Sequence, residues 1–144
     1  MEIVNHTKAY HADQHLVFSC QYHVIFCPKY RRKVLCDGLD ERFKELVLLD
    51  QERSEYRVVE MEVMPDHVHM LLDVSPRIGI FKTVCHIKGF TSRVLRREYP
   101  SLKTRMPSLW TRSSFISTVG SVSLDVVRGY IENQKRKPLF EAKP

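Results

Sequence analysis

The chain has 144 residues, of which 43% are apolar, and its formal net charge at neutral pH is +6. This length suits a single domain spanning residues 1–144 with a hydrophobic core, and the basic excess favours a polyanionic partner, nucleic acid before an anionic membrane surface. No apolar run approaches the roughly 20 residues that a membrane span requires, which argues against an integral membrane protein. Four cysteines without a CxxC pair and an N-terminus without a signal pattern predict a cytoplasmic protein with free thiols.

The first half of the chain predicts an arm, a strand and a helix. Residues 1–14 are polar and predict a loose N-terminal arm. Residues 16–27 are rich in β-branched and aromatic side chains and predict a strand that ends at Pro28. A helix is predicted at 39–53 from helical spacing of apolar residues. Its apolar face contains Leu39, Phe43, Leu46 and Leu49, and its predicted N-cap is Asp37 or Asp40.

The second half predicts the elements that complete one sheet. These are strands at 56–64, 67–74 and 114–119, helices at 79–98 and 123–136, and a basic loop at 101–112. A tight turn at Pro65-Asp66 joins the first two of these strands into a hairpin. The order of the first six elements matches the ferredoxin-like split-βαβ plan, an α+β fold with a four-stranded antiparallel sheet and two helices on one face. The extra C-terminal helix is predicted to cover the other face.

The most informative segment is MPDHVHMLL at residues 64–72, because two histidines lie two residues apart in a predicted strand. Side chains alternate across a strand, so His67 and His69 point to one face and their apolar neighbours point towards the helices. Imidazoles about 7 Å apart, at a rise of ~3.4 Å per residue, can converge on one metal ion. The alternative is a pair of half-buried structural histidines, so the interpretation depends on a third ligand.

The last predicted helix supplies two further candidates, Tyr130 and Gln134, which lie four residues and therefore one turn apart. A helix docked on the open sheet face could hold both over the histidines. A nearby cation favours the phenolate of a tyrosine whose ordinary pKa is near 10, and a metal ion also neutralises a phosphate. Gln134 offers an amide oxygen as the third ligand, and oxygen ligands with phosphate suit Mg²⁺ or Mn²⁺. Taken singly, each residue could equally be an ordinary surface side chain of a helix.

Three segments together resemble the single-tyrosine HUH transposases of the smallest bacterial and archaeal insertion sequences, the TnpA type. They are MPDHVHMLL at 64–72, WTRSSFISTVG at 110–120 and YIENQ at 130–134, and the resemblance spans about residues 16–138. It implies a ferredoxin-like core in which His67, His69 and Gln134 hold the metal ion. It also implies that Tyr130 attacks single-stranded DNA at hairpin-bearing ends, leaving a 5′-phosphotyrosine and a free 3′-hydroxyl that later rejoins strands without ATP.

The resemblance further implies a homodimer with shared active sites, in which the tyrosine helix of one chain reaches the histidines of the other. Gly120 and Gly129 could supply the flexibility for this exchange. Two departures concern DNA contacts and dimer geometry: residues 113–115 read Ser-Ser-Phe where an aromatic is expected after the first serine, and the N-terminal arm is longer than the motif core requires.

Basic residues cluster at three places, 29–33, 82–97 and 103–112, and such clusters contact DNA phosphates. The first cluster is the preferred DNA-facing one because its tyrosine could stack on a base. The predicted DNA-binding residues are Lys29, Tyr30, Arg31, Arg32, Lys33 and Arg112. The alternative for each cluster is a helix or loop surface that is merely solvated.

Three other functions use parts of the same pattern. A repeat-associated domesticated tyrosine transposase would share every catalytic residue. A non-catalytic single-stranded nucleic-acid-binding module would use sheet aromatics for base stacking, where this sheet is predicted to carry histidines. A hydrolytic metal nuclease would activate water and would not need Tyr130.

Overall fold

The protein has an α+β architecture built on one main antiparallel sheet. The computed structural model describes residues 2–3, 11–12, 17–119 and 124–133. The strands are β1 (Glu2–Ile3), β2 (His11–Ala12), β3 (Val17–Phe18), β4 (Gln21–Phe26), β5 (Tyr56–Met64), β6 (His67–Val74) and β7 (Phe115–Thr118). The helices are α1 (Leu39–Gln51), α2 (Ile80–Glu98), α3 (Ser101–Arg105) and α4 (Leu124–Asn133). Within the described residues, no helix combines the length and apolarity needed to cross a membrane.

The main sheet has the order β1-β5-β6-β4-β7, and every neighbouring pair in it is antiparallel. Its last four strands are the predicted four-stranded sheet in the ferredoxin-like order, which confirms the predicted fold. The short strand β1 adds a fifth strand at the β5 edge, where Glu2 is opposite Met61. The remainder of the N-terminal arm lies largely outside the described residues, so the looseness predicted for residues 1–14 stays a prediction.

The strand predicted at 16–27 is wrong as one continuous element. Residues 17–18 pair with β2 in a separate two-stranded ladder, and the main sheet begins only at Gln21. Between them, the backbone N–H of Cys20 donates to the carboxylate of Asp73 at 3.2 Å. This amide therefore bonds a side chain instead of a strand carbonyl, and the apolar run alone does not reveal such a break.

The hydrophobic core lies between one sheet face and helices α1 and α2. Val68, Met70 and Leu72 of β6 are 0% exposed, which confirms the face predicted for them. The aromatic centre of this core is Trp110, whose ring contacts Phe26 at 4.7 Å and Phe43 at 5.6 Å between centroids, both edge-on. Edge-to-face packing of this kind is a favourable aromatic geometry. The core side of the sheet is thus filled, and the opposite face is left for the site.

Two details of α1 were predicted wrongly. Leu49 is 61% exposed, because Phe43 and Val47 continue the buried stripe at i, i+4 spacing and Leu49 falls outside it. The N-cap is Gly38, without a side-chain capping bond, in place of the predicted aspartates. Its φ of 96° is left-handed, a conformation that glycine adopts without steric penalty.

The segment predicted as a basic loop at 101–112 contains the short helix α3, so that prediction is also wrong in part. Leu102, Met106 and Leu109 are at most 2% exposed. Their spacing of four and three residues anchors one side of the segment in the core. The prediction of a loop was based on the basic side chains between these residues and overlooked the apolar spacing.

Strand β5 contains a bulge at Val59. Val58 is opposite Leu72 and Glu60 is opposite Leu71, so Val59 has no partner in the ladder. A bulge of this kind adds one residue to one strand and increases the local twist. Val58 before it and Met61 after it both face the core at 0% exposure.

Candidate active site

The two histidines of the predicted motif lie on the sheet face opposite α1 and α2. His69 is opposite Ile25 on β4 and Glu62 on β5, and His67 is opposite Met64. Cross-strand partners share a face, so these residues form rows on the open side of the sheet. Both histidines are partly buried. The orientation predicted from strand alternation is therefore the observed one.

An aspartate orients His67. Asp66 Oδ1 lies 2.8 Å from His67 Nδ1, and Asp66 Oδ2 lies 2.8 Å from Nε of Arg31. Burial would raise the pKa of Asp66, but the hydrogen bond with His67 and the charge of Arg31 hold that pKa below its ordinary value. An ionised carboxylate only accepts hydrogen bonds, so Nδ1 of His67 is the donor. In the neutral form of this imidazole the lone pair is then on Nε2, the nitrogen left for a ligand.

A third histidine, which sequence reasoning missed, contacts His69. His23 Nδ1 lies 3.2 Å from His69 Nε2, and the two ring centroids are 5.4 Å apart. Burial, followed by the charge of His23, lowers the pKa of His69 to about 4. His69 is therefore neutral at neutral pH, the form that binds metals. Alternation along β4 could have placed His23 on this face, but its pairing with β6 depends on a register that is not readable from sequence.

Helix α4 carries Tyr130 to the β7 side of the open face. The Tyr130 ring packs against Phe115 with centroids 5.5 Å apart, and Phe115 is opposite Ile25, which in turn is opposite His69. Tyrosine and histidine thus share one face, with Phe115 and His69 two strand spacings or about 10 Å apart. The hydrogen-bond partner of the Tyr130 hydroxyl among the described residues is Ser113 Oγ, at 3.3 Å. Burial raises the pKa of Tyr130 to about 12, although the bond with Ser113 lowers it.

Arg31 connects the histidine side of the site to α4. One of its terminal nitrogens lies 3.0 Å from the carbonyl oxygen of Ile131 and 3.4 Å from Glu132 Oε2. Ile131 follows Tyr130 directly, so the tyrosine helix is docked beside Asp66 of the same chain. A shared, two-chain active site stays a prediction.

The predicted metal ligands are described only in part. His67 and His69 supply two imidazoles on one face, whereas Gln134 and Gly120 lie outside the described residues. Within the described part of the chain, no group of three His, Cys, Asp or Glu side chains is placed to hold a metal ion. The two histidines nevertheless fit a metal ion chemically, because one is neutral and the other has a carboxylate behind it, an arrangement typical of metal-ligating histidines.

The predicted DNA-binding residues have different environments. Arg32, Lys33 and Arg112 are exposed. Lys29 Nζ lies 5.3 Å from the centroid of the Tyr30 ring, a cation–π distance. The Arg31 side chain is 10% exposed and is held by protein groups. Their contacts with DNA stay predictions.

A partly buried lysine fixes the loop that presents Ser113. Lys88 Nζ donates to the carbonyl oxygens of residues 111–113 at 2.7 to 3.3 Å and to Ser114 Oγ at 2.9 Å. Burial lowers the pKa of Lys88 to about 8. Sequence reasoning also missed this contact, because a lysine on an amphipathic helix normally indicates a solvated surface.

A ferredoxin-like sheet with two histidines on its open face and a tyrosine helix beside them is characteristic of tyrosine transposases. Comparison with known proteins narrows this class. The chain belongs to the IS200-like transposases, because the family model described as "Transposase IS200 like" matches residues 16–134. The family predicted from the three motifs is therefore confirmed.

Relatives and solved structures agree with this family. The chain is 36% identical over 123 residues to the ISDra2 transposase TnpA of Deinococcus radiodurans, covering 84% of this chain and 88% of the relative. It is 30% identical over 122 residues to the transposase for insertion sequence element IS200 of Salmonella typhimurium, covering 83% and 80% of the two chains. A crystal structure of a Deinococcus radiodurans transposase superposes with a TM-score of 0.78 at 32% identity, covering 86% of this chain and 97% of that one. A REP-associated tyrosine transposase bound to a REP hairpin shares the fold, with a TM-score of 0.52 at 8% identity and coverage of 90% and 69%.

Proposed function

We propose that the chain is a single-strand DNA transposase in which Tyr130 cleaves DNA at the ends of an insertion sequence. The Tyr130 oxygen bonds to the phosphorus while the 3′-oxygen of the preceding nucleotide leaves, giving a 5′-phosphotyrosine and a free 3′-hydroxyl. Attack by a 3′-hydroxyl on that linkage rejoins strands and releases the tyrosine. The bond energy is conserved, so the reaction needs no ATP. The observation that carries this proposal is Tyr130 on a helix that Arg31 docks beside the Asp66–His67 pair.

His67, His69 and Gln134 would hold Mg²⁺ or Mn²⁺ in this reaction. When bound, such an ion neutralises charge on the phosphate and favours a neighbouring phenolate. The chain's own contribution is to orient His67 through its hydrogen bond with Asp66 and to keep His69 neutral through burial. An amide third ligand leaves the double positive charge of the ion undiminished.

The proton of Tyr130 has to leave before the phenol is an effective nucleophile. With a pKa of about 12, ionisation at pH 7 costs about 7 kcal/mol, at 1.36 kcal/mol per pKa unit. About 4 kcal/mol of this cost is intrinsic to a phenol of pKa 10, and about 3 kcal/mol comes from the protein environment, mainly burial. Attack therefore requires the hydroxyl to leave Ser113 for a position beside the phosphate and the histidines, where a bound cation would favour the phenolate. The Ser113 contact then describes a resting arrangement of the tyrosine.

Single-stranded DNA with hairpin ends is the proposed substrate, and a homodimer in the cytoplasm is the proposed working form. The REP-associated transposase of similar fold is bound to a REP hairpin, which supports hairpin DNA as the partner. The exposed Arg32, Lys33 and Arg112 are suited to phosphate contacts. The alternative of a repeat-associated domesticated transposase is less favoured, because identity to that protein is 8% against 36% for the insertion-sequence relative.

A covalent-adduct assay tests the proposal. Labelled single-stranded hairpin DNA is incubated with protein and Mg²⁺ or Mn²⁺, and the products are resolved on denaturing gels. We expect an adduct in the native chain that disappears in Tyr130→Phe and persists in the matched control Tyr99→Phe, which removes a hydroxyl at the end of α2.

The outcomes separate the rival functions. Strand cleavage that persists in Tyr130→Phe would identify a hydrolytic nuclease. Hairpin binding without cleavage at any metal concentration would identify a binding module. His67→Ala should lose cleavage and retain most hairpin binding; equal loss of both would make this histidine structural.

A further inference from the structure

Arg31 differs from the other basic residues of its segment. The side chain of Arg31 is 10% exposed, whereas the next two residues, Arg32 and Lys33, are exposed. A buried guanidinium has lost most of its hydration, so its position has to be explained by protein partners. A residue whose only task was to contact DNA phosphates would have no reason to be buried in the absence of DNA.

The partners of Arg31 belong to two different parts of the site. Its Nε forms an ion pair with Asp66 Oδ2 at 2.8 Å, and the other oxygen of that carboxylate lies 2.8 Å from His67 Nδ1. On its other side, a terminal nitrogen lies 3.0 Å from the carbonyl oxygen of Ile131. The side chain of Glu132, at 3.4 Å and 65% exposed, adds a weaker contact.

The contact with Ile131 is made to a main-chain carbonyl of the tyrosine helix. Ile131 follows Tyr130 directly in α4, so this bond holds the helix at the position of the tyrosine. A hydrogen bond donated by a charged guanidinium is stronger than one between neutral groups. One guanidinium therefore serves the tyrosine helix and the carboxylate behind His67 at the same time.

The backbone conformation at Tyr30 and Arg31 also indicates that the Arg31 side chain is held in place by the protein. Tyr30 and Arg31 have φ values of 57° and 53°, in the left-handed region that residues with a side chain adopt rarely. Such conformations persist where surrounding contacts stabilise them. Here they turn the Arg31 side chain inwards, towards Asp66 and α4.

We infer that Arg31 is a positioning residue that couples docking of the tyrosine helix to the orientation of the metal ligand His67. This inference rests on the proposed function and adds to it a role within the protein for a residue first assigned to DNA contacts. The planar guanidinium of arginine is required, because it has several N–H donors that can reach Asp66 and the Ile131 carbonyl oxygen at the same time. The ammonium of lysine places all its donors on one nitrogen and cannot bridge these two partners in the same way.

Three variants test this coupling: Arg31→Gln, Arg31→Lys and the matched control Arg32→Gln. Docking of α4 is measured by hydrogen exchange of its backbone amides, and metal binding is measured by electron paramagnetic resonance of added Mn²⁺, both without DNA. In Arg31→Gln we expect α4 amides to exchange about ten times faster and Mn²⁺ affinity to fall about tenfold, the range found for partners of ligating histidines. Arg31→Lys should retain Mn²⁺ affinity within a few-fold but still release α4, and Arg32→Gln should change neither.

Other outcomes overturn the inference. If Arg31→Gln keeps native exchange and Mn²⁺ affinity but binds hairpin DNA more weakly, Arg31 is a phosphate contact. A native chain that binds no Mn²⁺ also refutes it, because there would be no ligand geometry to couple. Far-ultraviolet circular dichroism shows whether Arg31→Gln folds. If it does not fold, the Arg31→Lys variant is used instead, and unchanged hydrogen exchange of the α4 amides in that variant overturns the coupling. Failure of the adduct assay would refute the proposed function alone, since neither readout here involves DNA cleavage.

Discussion

Replacing Asp66 with asparagine should weaken metal binding without changing the shape of the site. Asp66 accepts a hydrogen bond from His67 and forms an ion pair with Arg31, both at 2.8 Å. An asparagine has one oxygen and one NH₂ group, so it can face only one of these two donors with an acceptor. Loss of a carboxylate behind a ligating histidine typically weakens metal affinity 10- to 100-fold, or about 1.4–2.7 kcal/mol. Leaving the partly buried Arg31 without its anion should lower the free energy of unfolding by a further about 1–3 kcal/mol.

Both effects can be measured separately. Mn²⁺ affinity is obtained from electron paramagnetic resonance titrations of Asp66→Asn, and stability from urea unfolding of the same protein. Asp37→Asn is the matched control, because Asp37 is exposed and lies outside the site. Mn²⁺ affinity within twofold of the native value would refute the idea that Asp66 orients a metal ligand, whatever the change in stability.

Three further changes have expected results. Ser113→Ala removes the hydrogen bond that lowers the pKa of Tyr130, so this pKa should rise. The change in tyrosinate absorbance with pH measures the shift, and an unchanged titration would contradict the bond. Lys88→Met leaves three loop carbonyls without their ammonium donor, so it should lower the free energy of unfolding by about 2–3 kcal/mol and speed hydrogen exchange in that loop. An unchanged rate of hydrogen exchange in the loop would show that these contacts are dispensable. Phe43→Ala should lower the free energy of unfolding by about 3–5 kcal/mol, because Phe43 is 0% exposed. The exposed Leu49→Ala should change it by less than about 0.5 kcal/mol, and equal losses in urea unfolding would refute the assigned face of α1.

The periodicity of the sequence predicted those structural features that depend only on residues close together along the chain. Alternation in β6 placed His67 and His69 on one face because a strand's side-chain direction repeats every two residues regardless of its partners. The turn-forming residues Pro65-Asp66 located the hairpin turn. The order of elements then sufficed for the sheet topology, since few arrangements are compatible with it.

Contacts between distant segments could not be predicted in the same way. His23 and His69 are 46 residues apart, and they meet only because β4 and β6 pair in one particular register. Arg31 and Ile131 are 100 residues apart, and a basic segment gives no sign of which arginine is buried. Helix boundaries failed for a related reason: a glycine cap at position 38 is set by backbone conformation, whereas aspartates are preferred as caps only on average.

The unpartnered Val59 in β5 determines where this strand can change length. Removing a residue between Met61 and Met64 would shift the residues on one side of it by one position and turn a polar side chain towards the core. Deleting Val59 would instead join Val58 directly to Glu60 and leave an uninterrupted alternation down to Met64, with Met61 still inward. Natural variation in strand length among homologous chains should therefore concentrate at this bulge, where a deletion leaves the histidine strand beside it in register.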